Sequence, residues 1–267
     1  MVSATFRFYD GLNDFLPRGR RGRDITVACA RDATTKHMIE ALGVPHTEVE
    51  LMLVNGESGG FDHILREADR VSVYPAFGTL DVQPLQRLRT WPARRLHFVA
   101  DAHLGGLARL LRMAGYDTLY DNGFHDQEIE RIAREEGRVL LTRDRELLKR
   151  RTVELGCYVH AIDPPGQLRE LFSRLRLGGG VRAFSLCLHC NLPLRAAAIE
   201  EVLQRLPPRV AATRDEFTTC DACGRVYWKG SHYERMRSLL GGLGADVELA
   251  ATPGCPAPGS PTLGPHC

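Results

Sequence analysis

The sequence predicts an α/β domain in the middle of the chain, with a smaller α+β domain before it and a cysteine-rich module after it. Between residues 96 and 180, short apolar runs alternate with amphipathic segments, a pattern typical of strands and helices that take turns in a parallel sheet. The first 80 residues follow a different order, with two strands, one helix and further strands. Two Cys-x2-Cys pairs then follow within residues 181–240. We therefore expect three differently built domains.

Length and composition agree with a folded protein of more than one domain. The chain has 267 residues, of which 43% are hydrophobic and 25% charged, which excludes a wholly disordered chain. It contains no apolar run of about 18 residues and no signal peptide, so we expect a cytoplasmic protein with no membrane partner. The net charge of +2 is too small to indicate nucleic-acid binding by itself.

The first domain, residues 1–80, is predicted to carry strands at residues 4–9, 25–29, 48–54 and 70–74 and a helix at 34–42. Its segments IEALGVPHTEV, LMLVNG and DRVSVYPAF resemble the ubiquitin-like β-grasp sulfur carriers of thiamin and molybdopterin synthesis. Those carriers act through a C-terminal Gly-Gly, whereas here the Gly59-Gly60 pair is internal. A sulfur-relay role is therefore disfavoured, and we interpret this domain as a docking module with a possible protein partner.

A connector at residues 81–95 combines two prolines and four arginines with one acid. This composition is typical of a solvated linker. It would also suit a basic strip that guides an anionic polymer towards the next domain, and both interpretations remain open.

The central domain, residues 96–180, is predicted to contain strands at 96–100, 117–120, 139–141 and 157–162 and helices at 104–114, 127–136, 145–151 and 167–175. In such sheets the ligand site lies beyond the carboxyl ends of the strands. The residues found there are Asp101, Asp121, Asp144 and Asp163, and Asp126 opens the second helix. Clustered carboxylates repel one another unless a cation shares them, which indicates Mg²⁺ or Mn²⁺.

Some of these aspartates also have simpler structural explanations. Asp126 stands where a helix N-cap belongs, and Asp121 and Asp163 suit turns. Asp101 and Asp144 are harder to explain in this way. Asp101 follows a fully apolar strand, and Asp144 lies two residues after Thr142 among arginines.

Longer segments of this region are recognisable. FVADAHLGGLARLLRMAGYDTLYDN, HDQEIERIAREEGRVLLTRDRELL and CDACGRVYWKGSHYERM closely resemble the Mut-seven C-terminal RNase family, a branch of the PIN-like nucleases. The resemblance implies a PIN-like fold that cuts RNA with Mg²⁺ or Mn²⁺ held by three or four acids. By motif these are Asp101, Asp126 and Asp144, while the family pattern leaves Asp121 and Asp163 unassigned.

Four arginines lie near the predicted acidic site, at positions where they could bind phosphate oxygens: Arg109, Arg112, Arg143 and Arg145. The simpler interpretation of any one of them is a solvated basic face. His103 and His125 are also nearby, but lone loop histidines are usually neither ligands nor bases, so we assign them no role.

The most specific motif in the sequence is the cysteine set Cys187, Cys190, Cys220 and Cys223. Two such pairs in one cytoplasmic chain predict a zinc ribbon with a structural Zn²⁺ that has no open coordination position. We expect a helix at 197–206 between the pairs. The segment RVYWKGSHYERM interleaves aromatics with basic residues, which suits either stacking of single-stranded RNA or packing within the ribbon. The proline-rich tail, residues 241–267, is expected to be disordered.

The leading hypothesis is therefore a metal-dependent endoribonuclease acting on single-stranded RNA. The alternatives are a non-catalytic RNA-binding or regulatory protein and, more remotely, a ubiquitin-like sulfur-relay component.

Overall fold

A computed structural model describes residues 1–76, 88, 96–178, 182–243 and 248–249. Apart from Leu88, the predicted linker at 81–95 lies outside the described residues. Most of the predicted tail also lies outside them. None of the helices within the described ranges is both long and apolar enough to cross a membrane. The described chain forms an N-terminal sheet, a central parallel sheet and a cysteine-containing module.

The N-terminal domain is a five-stranded sheet with one α-helix. Its elements are β1 (Val2–Phe8), β2 (Ile25–Cys29), α1 (Thr35–Ala41), β3 (Leu51–Val54), β4 (Glu57–Ser58) and β5 (Asp69–Tyr74). The strand order is β2-β1-β5-β3-β4, with β5 parallel to β1 and the other pairs antiparallel. Alternate residues such as Phe6, Phe8 and Val71 are buried against Ile39 of α1, which is the arrangement that the alternating pattern predicts.

One predicted strand of this domain begins later than expected. Residues His46–Glu48 form a 3₁₀ turn, and β3 begins only at Leu51. The Glu48 carboxylate is turned towards the central domain, where it accepts a hydrogen bond from the backbone N–H of Tyr158 at 2.7 Å. Because the Glu48 side chain makes a contact between the two domains, residues 46–48 do not pair with the sheet.

The central domain is an open sheet of four parallel strands. Its elements are β6 (Phe98–Ala100), α2 (Gly105–Met113), β7 (Thr118–Leu119), α3 (Asp126–Glu136), β8 (Val139–Thr142), α4 (Arg145–Leu148), β9 (Gly156–Tyr158) and α5 (Pro164–Leu175). The strand order is β7-β6-β8-β9. Helices α2 and α5 pack on one face of the sheet, and α3 and α4 pack on the other. The predicted α/β architecture is confirmed.

The C-terminal module contains a three-stranded antiparallel sheet, and a strand pair stands beside it. Its elements are β10 (Arg182–Ala183), β11 (Arg195–Ala197), α6 (Ile199–Val202), α7 (Pro208–Ala211), β12 (Phe217–Thr219), β13 (Val226–Trp228), α8 (Ser231–Gly241) and β14 (Glu248–Leu249). The ribbon order is β11-β12-β13, and β10 pairs with β14.

The prediction of a single helix at 197–206 is wrong. Ala197 ends β11, where it pairs with Phe217, and the following α6 is only four residues long. A 3₁₀ turn at Leu203–Arg205 follows, and Pro207 and Pro208 then begin the separate helix α7. Proline lacks the backbone N–H that a continuing helix would need, so α7 starts as a helix of its own at Pro208.

Candidate active site and zinc centre

The central sheet reverses its winding direction between β6 and β8, and Asp101 lies at that point. The connection after β6 leads to β7 at one edge of the sheet, whereas the connection after β8 leads to β9 at the other edge. A crevice forms at such a reversal, beyond the carboxyl ends of the strands. The backbone N–H of Asp101 donates to the carbonyl of Leu141 at 2.9 Å, which continues the β6–β8 ladder into the site.

A buried hydroxyl joins two of the predicted acids. Thr142 is fully buried at the end of β8, and its Oγ1 donates to Oδ2 of Asp101 at 2.7 Å. The same Oγ1 accepts from the backbone N–H of Asp144 at 2.9 Å. Thr142 therefore fixes both the orientation of the Asp101 carboxylate and the position of the Asp144 backbone.

Asp101 and Asp126 line one cleft of about 510 Å³. The other residues that line it are Ala102, His103, Phe124, His125, Gln127 and Arg150. The structure thus brings together two of the three acids that the motif singles out. It also brings His103 and His125 to the same cleft, although nothing in the local sequence distinguished them from surface histidines.

The Asp126 carboxylate forms an ion pair with an arginine that the sequence did not single out. It is the first residue of α3, whose N-cap position is occupied by His125, so the capping role considered for Asp126 is wrong. Its Oδ2 lies 2.8 Å from Nη2 of Arg150, whose Nη1 also bonds Glu130 at 2.9 Å. Arg150 lies 24 residues from Asp126 in sequence, and only the fold brings the two together.

The remaining aspartates lie outside the lining of the cleft. Asp144 is exposed and caps α4, with Oδ1 accepting from the backbone N–H groups of Glu146 at 2.7 Å and Leu147 at 3.3 Å. Asp163 caps α5 in the same manner, and Asp121 accepts from the N–H of Gly123 within its turn. Capping fully accounts for the place of Asp163, whereas Asp144 remains connected to Asp101 through Thr142.

The four candidate phosphate-binding arginines are in different surroundings. Arg112 is only 4% exposed, and its guanidinium donates to the carbonyls of Thr118, Leu188 and His189. Arg145 donates to the carbonyls of Asp14 and Phe15.

Arg112 and Arg145 therefore bind neighbouring domains, and the expectation that they contact phosphate is not supported. Arg143 and Arg109 are exposed, and Arg109 lines a separate groove.

The cleft offers two carboxylates for a hard cation. In the described part of the chain, no three acidic side chains converge closely enough to enclose an ion. Mg²⁺, however, retains several water ligands and is often held by one or two carboxylates. Asp101 and Asp126 are the two carboxylates that line this cleft, so they are the residues there that could hold such a hydrated ion.

The four cysteines converge at the other end of the domain. The sulfur atoms of Cys187, Cys190, Cys220 and Cys223 all lie within 4.8 Å of one another, and the Cys187 and Cys223 sulfurs are 3.7 Å apart. Tetrahedral Zn–S bonds of about 2.3 Å place sulfur atoms roughly 3.8 Å apart. His189, inside the first Cys-x2-Cys pair, is not part of this set. The cluster has the geometry of a zinc site.

The thiols of this cluster differ in pKa when no metal is bound. Burial raises the pKa of Cys187, but the hydrogen bond from Tyr227 and backbone N–H groups outweigh it and lower the pKa to about 6. The hydrogen bond with Cys223, burial and the negative charge of Cys187 raise the pKa of Cys190 to about 12. Since zinc is bound by thiolates, binding of the dication would displace the protons that the cysteines hold without it.

A family model described as the Mut7-C RNAse domain matches residues 96–240. The chain belongs to this family. A second model, described as Mut7-C ubiquitin, matches residues 1–81. A human protein named exonuclease mut-7 homolog is 29% identical over 181 residues, which cover 62% of this chain and 17% of the human protein. No solved structure gave a significant match. The chain thus belongs to a nuclease family, while it spans only a small part of that human relative.

Within this Mut7-C domain the first zinc knuckle is tied directly to the parallel sheet. Asn191, which follows Cys190, accepts from the N–H of Thr118 at 2.9 Å and donates to Asp117 at 2.5 Å. Asp117 is also bound by both Nη atoms of Arg138, at 2.8 and 3.0 Å. These contacts join the sheet to the ribbon, both of which lie within the range that the family model matches.

Proposed function

We propose that this Mut7-C protein is a metal-dependent endoribonuclease whose active site is the cleft lined by Asp101 and Asp126. The observation that carries the proposal is the position of these carboxylates at the reversal point of the sheet, with Asp101 oriented by Thr142. RNA is the substrate that the description of the family names.

Each side chain has a distinct part in the proposed reaction. Asp101 and Asp126 hold the cation, and Asp144 supports the site from the exposed end of α4. Bound Mg²⁺ or Mn²⁺ would neutralise developing charge on the phosphodiester and lower the pKa of a water molecule. Arg150 lies at the rim of the cleft and is placed to donate to a phosphate oxygen once a cation shares the charge of Asp126.

One observation favours the alternative of a non-catalytic RNA-binding protein. The ion pair between Asp126 and Arg150 already neutralises one of the two carboxylates of the cleft. If Arg150 stayed on Asp126 in the presence of cation, the cleft would not assemble a metal centre, and RNA would be bound by basic residues outside it.

Circular RNA distinguishes internal cleavage from removal of terminal nucleotides. The full chain is incubated with labelled circular and linear single-stranded RNA of one sequence, in Mn²⁺ or Mg²⁺. We expect both forms to be cut, and Asp101→Asn to abolish cutting. Glu128→Gln, a change at an exposed first-turn residue of α3, is the matched control and retains activity.

Cutting of linear RNA alone would refute the endonuclease assignment and would agree with the exonuclease name of the human relative. RNA binding without cutting in either metal would favour the non-catalytic alternative.

A further inference from the structure

A second, larger groove lies on the ribbon side of the Mut7-C domain. It encloses about 720 Å³ between the ribbon strands, the start of α8 and one residue of α2, Arg109. It shares no lining residue with the acidic cleft among the residues that the structure describes. The groove is therefore a separate site.

The groove combines flat apolar surfaces with exposed positive charge. Half-buried Trp228, Tyr233 and Phe184 line it, and the tilted rings of Tyr233 and Phe184 are in contact, with 4.4 Å between centroids and 40° between planes. Exposed Arg109, Arg182 and Arg225 also line it.

The positive charge of the groove is largely unbalanced. Glu216 is the one acid among the described residues that line it, and that carboxylate is paired with Lys229. No described carboxylate lies at ion-pair distance from Arg109, Arg182 or Arg225.

An unpaired nucleotide matches both properties. Its base presents a flat apolar face that stacks on aromatic side chains. Its phosphate is an anion that can pair with the arginines. A duplex stacks its bases on one another and cannot offer them to Trp228. Tyr227 and Trp228 both line the groove. The Tyr227 hydroxyl is 3.2 Å from the Cys187 sulfur, and half-buried Trp228 also packs against the core of the ribbon.

We propose that this groove binds unpaired nucleotides of an RNA strand, with a base stacked on Trp228 and phosphates bound by Arg109 and Arg225. The inference rests on the proposed function for the identity of the polymer. Helix α2 links the two sites, because Arg109 lies about one helical turn after Gly105, where α2 begins behind Asp101.

Binding is measured on full-length Asp101→Asn protein, so that the RNA stays intact. The chain has two tryptophans, and Trp91→Phe leaves Trp228 as the sole reporter. We expect oligouridylate to quench Trp228 fluorescence, and duplex RNA or polyglutamate to leave it unchanged. Equal quenching by polyglutamate would overturn the proposal in favour of an acidic protein partner, and no quenching by single-stranded RNA would also overturn it.

Charge reversal gives a second test that does not depend on the tryptophan. The double variant Arg109→Glu and Arg225→Glu should weaken RNA binding at least tenfold, and should lower the slope of log Kd against log salt by about 1.4, since each phosphate contact on a single strand contributes about 0.7. Arg209→Glu, on exposed α7 outside the groove, is the matched control. Zinc content shows that each variant is folded.

The outcomes separate the two proposals. Unchanged affinity and salt slope in the double variant, together with normal cleavage by the otherwise wild-type enzyme, would overturn the groove and leave the nuclease assignment intact. Weakened binding in a protein that never cuts RNA would support the groove and refute the nuclease assignment.

Discussion

The carboxylate of Glu48 and the guanidinium of Arg174 form an ion pair between the ubiquitin-like domain and the Mut7-C domain, with 2.5 Å between Oε2 and Nη2. The Glu48 side chain is only 3% exposed, and its other oxygen accepts from the backbone N–H of Tyr158. His46 adds a second link, with Nε2 3.0 Å from the carbonyl of Val153. The two domains are thus joined by buried polar contacts.

Removing the buried partner from this ion pair should loosen the domain contact. Glu48→Ala leaves the Arg174 charge and the Tyr158 N–H without their partner, so we expect a loss of about 3 kcal/mol in the free energy of unfolding. Urea denaturation of the full chain measures this loss. Exposed Glu57→Ala in β4 is the control and should change little. An equal, small effect of both substitutions would show that the ion pair does not stabilise the domain contact.

Thr142 is predicted to act as a positioning residue for Asp101. Thr142→Val keeps the shape of the side chain but removes the hydroxyl that donates to the Asp101 carboxylate, so we expect kcat for RNA cleavage to fall about tenfold, with about 1 kcal/mol lost in stability. Thr142→Ser should restore kcat because it restores the donor. A stability loss with unchanged kcat would assign Thr142 a purely structural role.

Arg150 is predicted to bind substrate phosphate. Arg150→Gln removes a charge-assisted donor at the rim of the cleft, so we expect kcat/KM to fall by roughly tenfold or more. The adjacent exposed Arg151→Gln is the matched control. If Arg150 served only to neutralise Asp126, the substitution would instead raise the affinity for Mn²⁺ and leave KM unchanged, and both are measured by metal titration of the rate.

Asp117 is predicted to make stability depend on pH in the acid range. Burial raises its pKa, but hydrogen bonds from Arg138, Asn191 and His97 outweigh burial and lower the pKa to about 2. The unfolded chain has an ordinary value near 3.9, so it binds a proton first as the pH falls. The ionised Asp117 carboxylate therefore contributes about 2 kcal/mol to the free energy of unfolding. This contribution is fully present above about pH 5 and is lost as the pH falls towards 2.

The comparison with Asp117→Asn checks this dependence. The difference in free energy of unfolding between wild type and variant should be largest near pH 6 and should shrink between about pH 4 and 2. Loss of zinc in acid affects both proteins and cancels in the difference. A difference that stays constant with pH would show that the carboxylate charge is not what stabilises this contact.

The four cysteines predict one zinc ion per chain. Cys220→Ser should remove the zinc, measured by mass spectrometry of the metal, and should expose the ribbon to limited proteolysis while the N-terminal domain resists. Cys255→Ser, outside the described residues, is the control and should keep the zinc. Full zinc content in the Cys220 variant would contradict the four-cysteine assignment.

Local sequence patterns were sufficient to predict most elements of the fold. Alternating apolar residues identified strands such as β1, and the 3.6-residue period of apolar positions identified helices such as α3. Asp101 and the cysteine pairs were recognisable for the same reason, because a strand end and a Cys-x2-Cys spacing are properties of a few consecutive residues. The predictions were least accurate where a side chain contacts another domain, as at Glu48.

Only the tertiary structure decided which charges meet. Arg112 and Arg145 stand in sequence beside the predicted site, yet one is buried under the zinc knuckle and the other binds the ubiquitin-like domain. No sequence motif distinguishes Arg150 from other basic residues, yet it donates a hydrogen bond to Asp126 in the cleft. Strand order and domain contacts set these distances, and they depend on residues far apart in the chain. The sequence by itself determined the elements and the metal-binding cysteines, while long-range packing decided the composition of the cleft and of the groove.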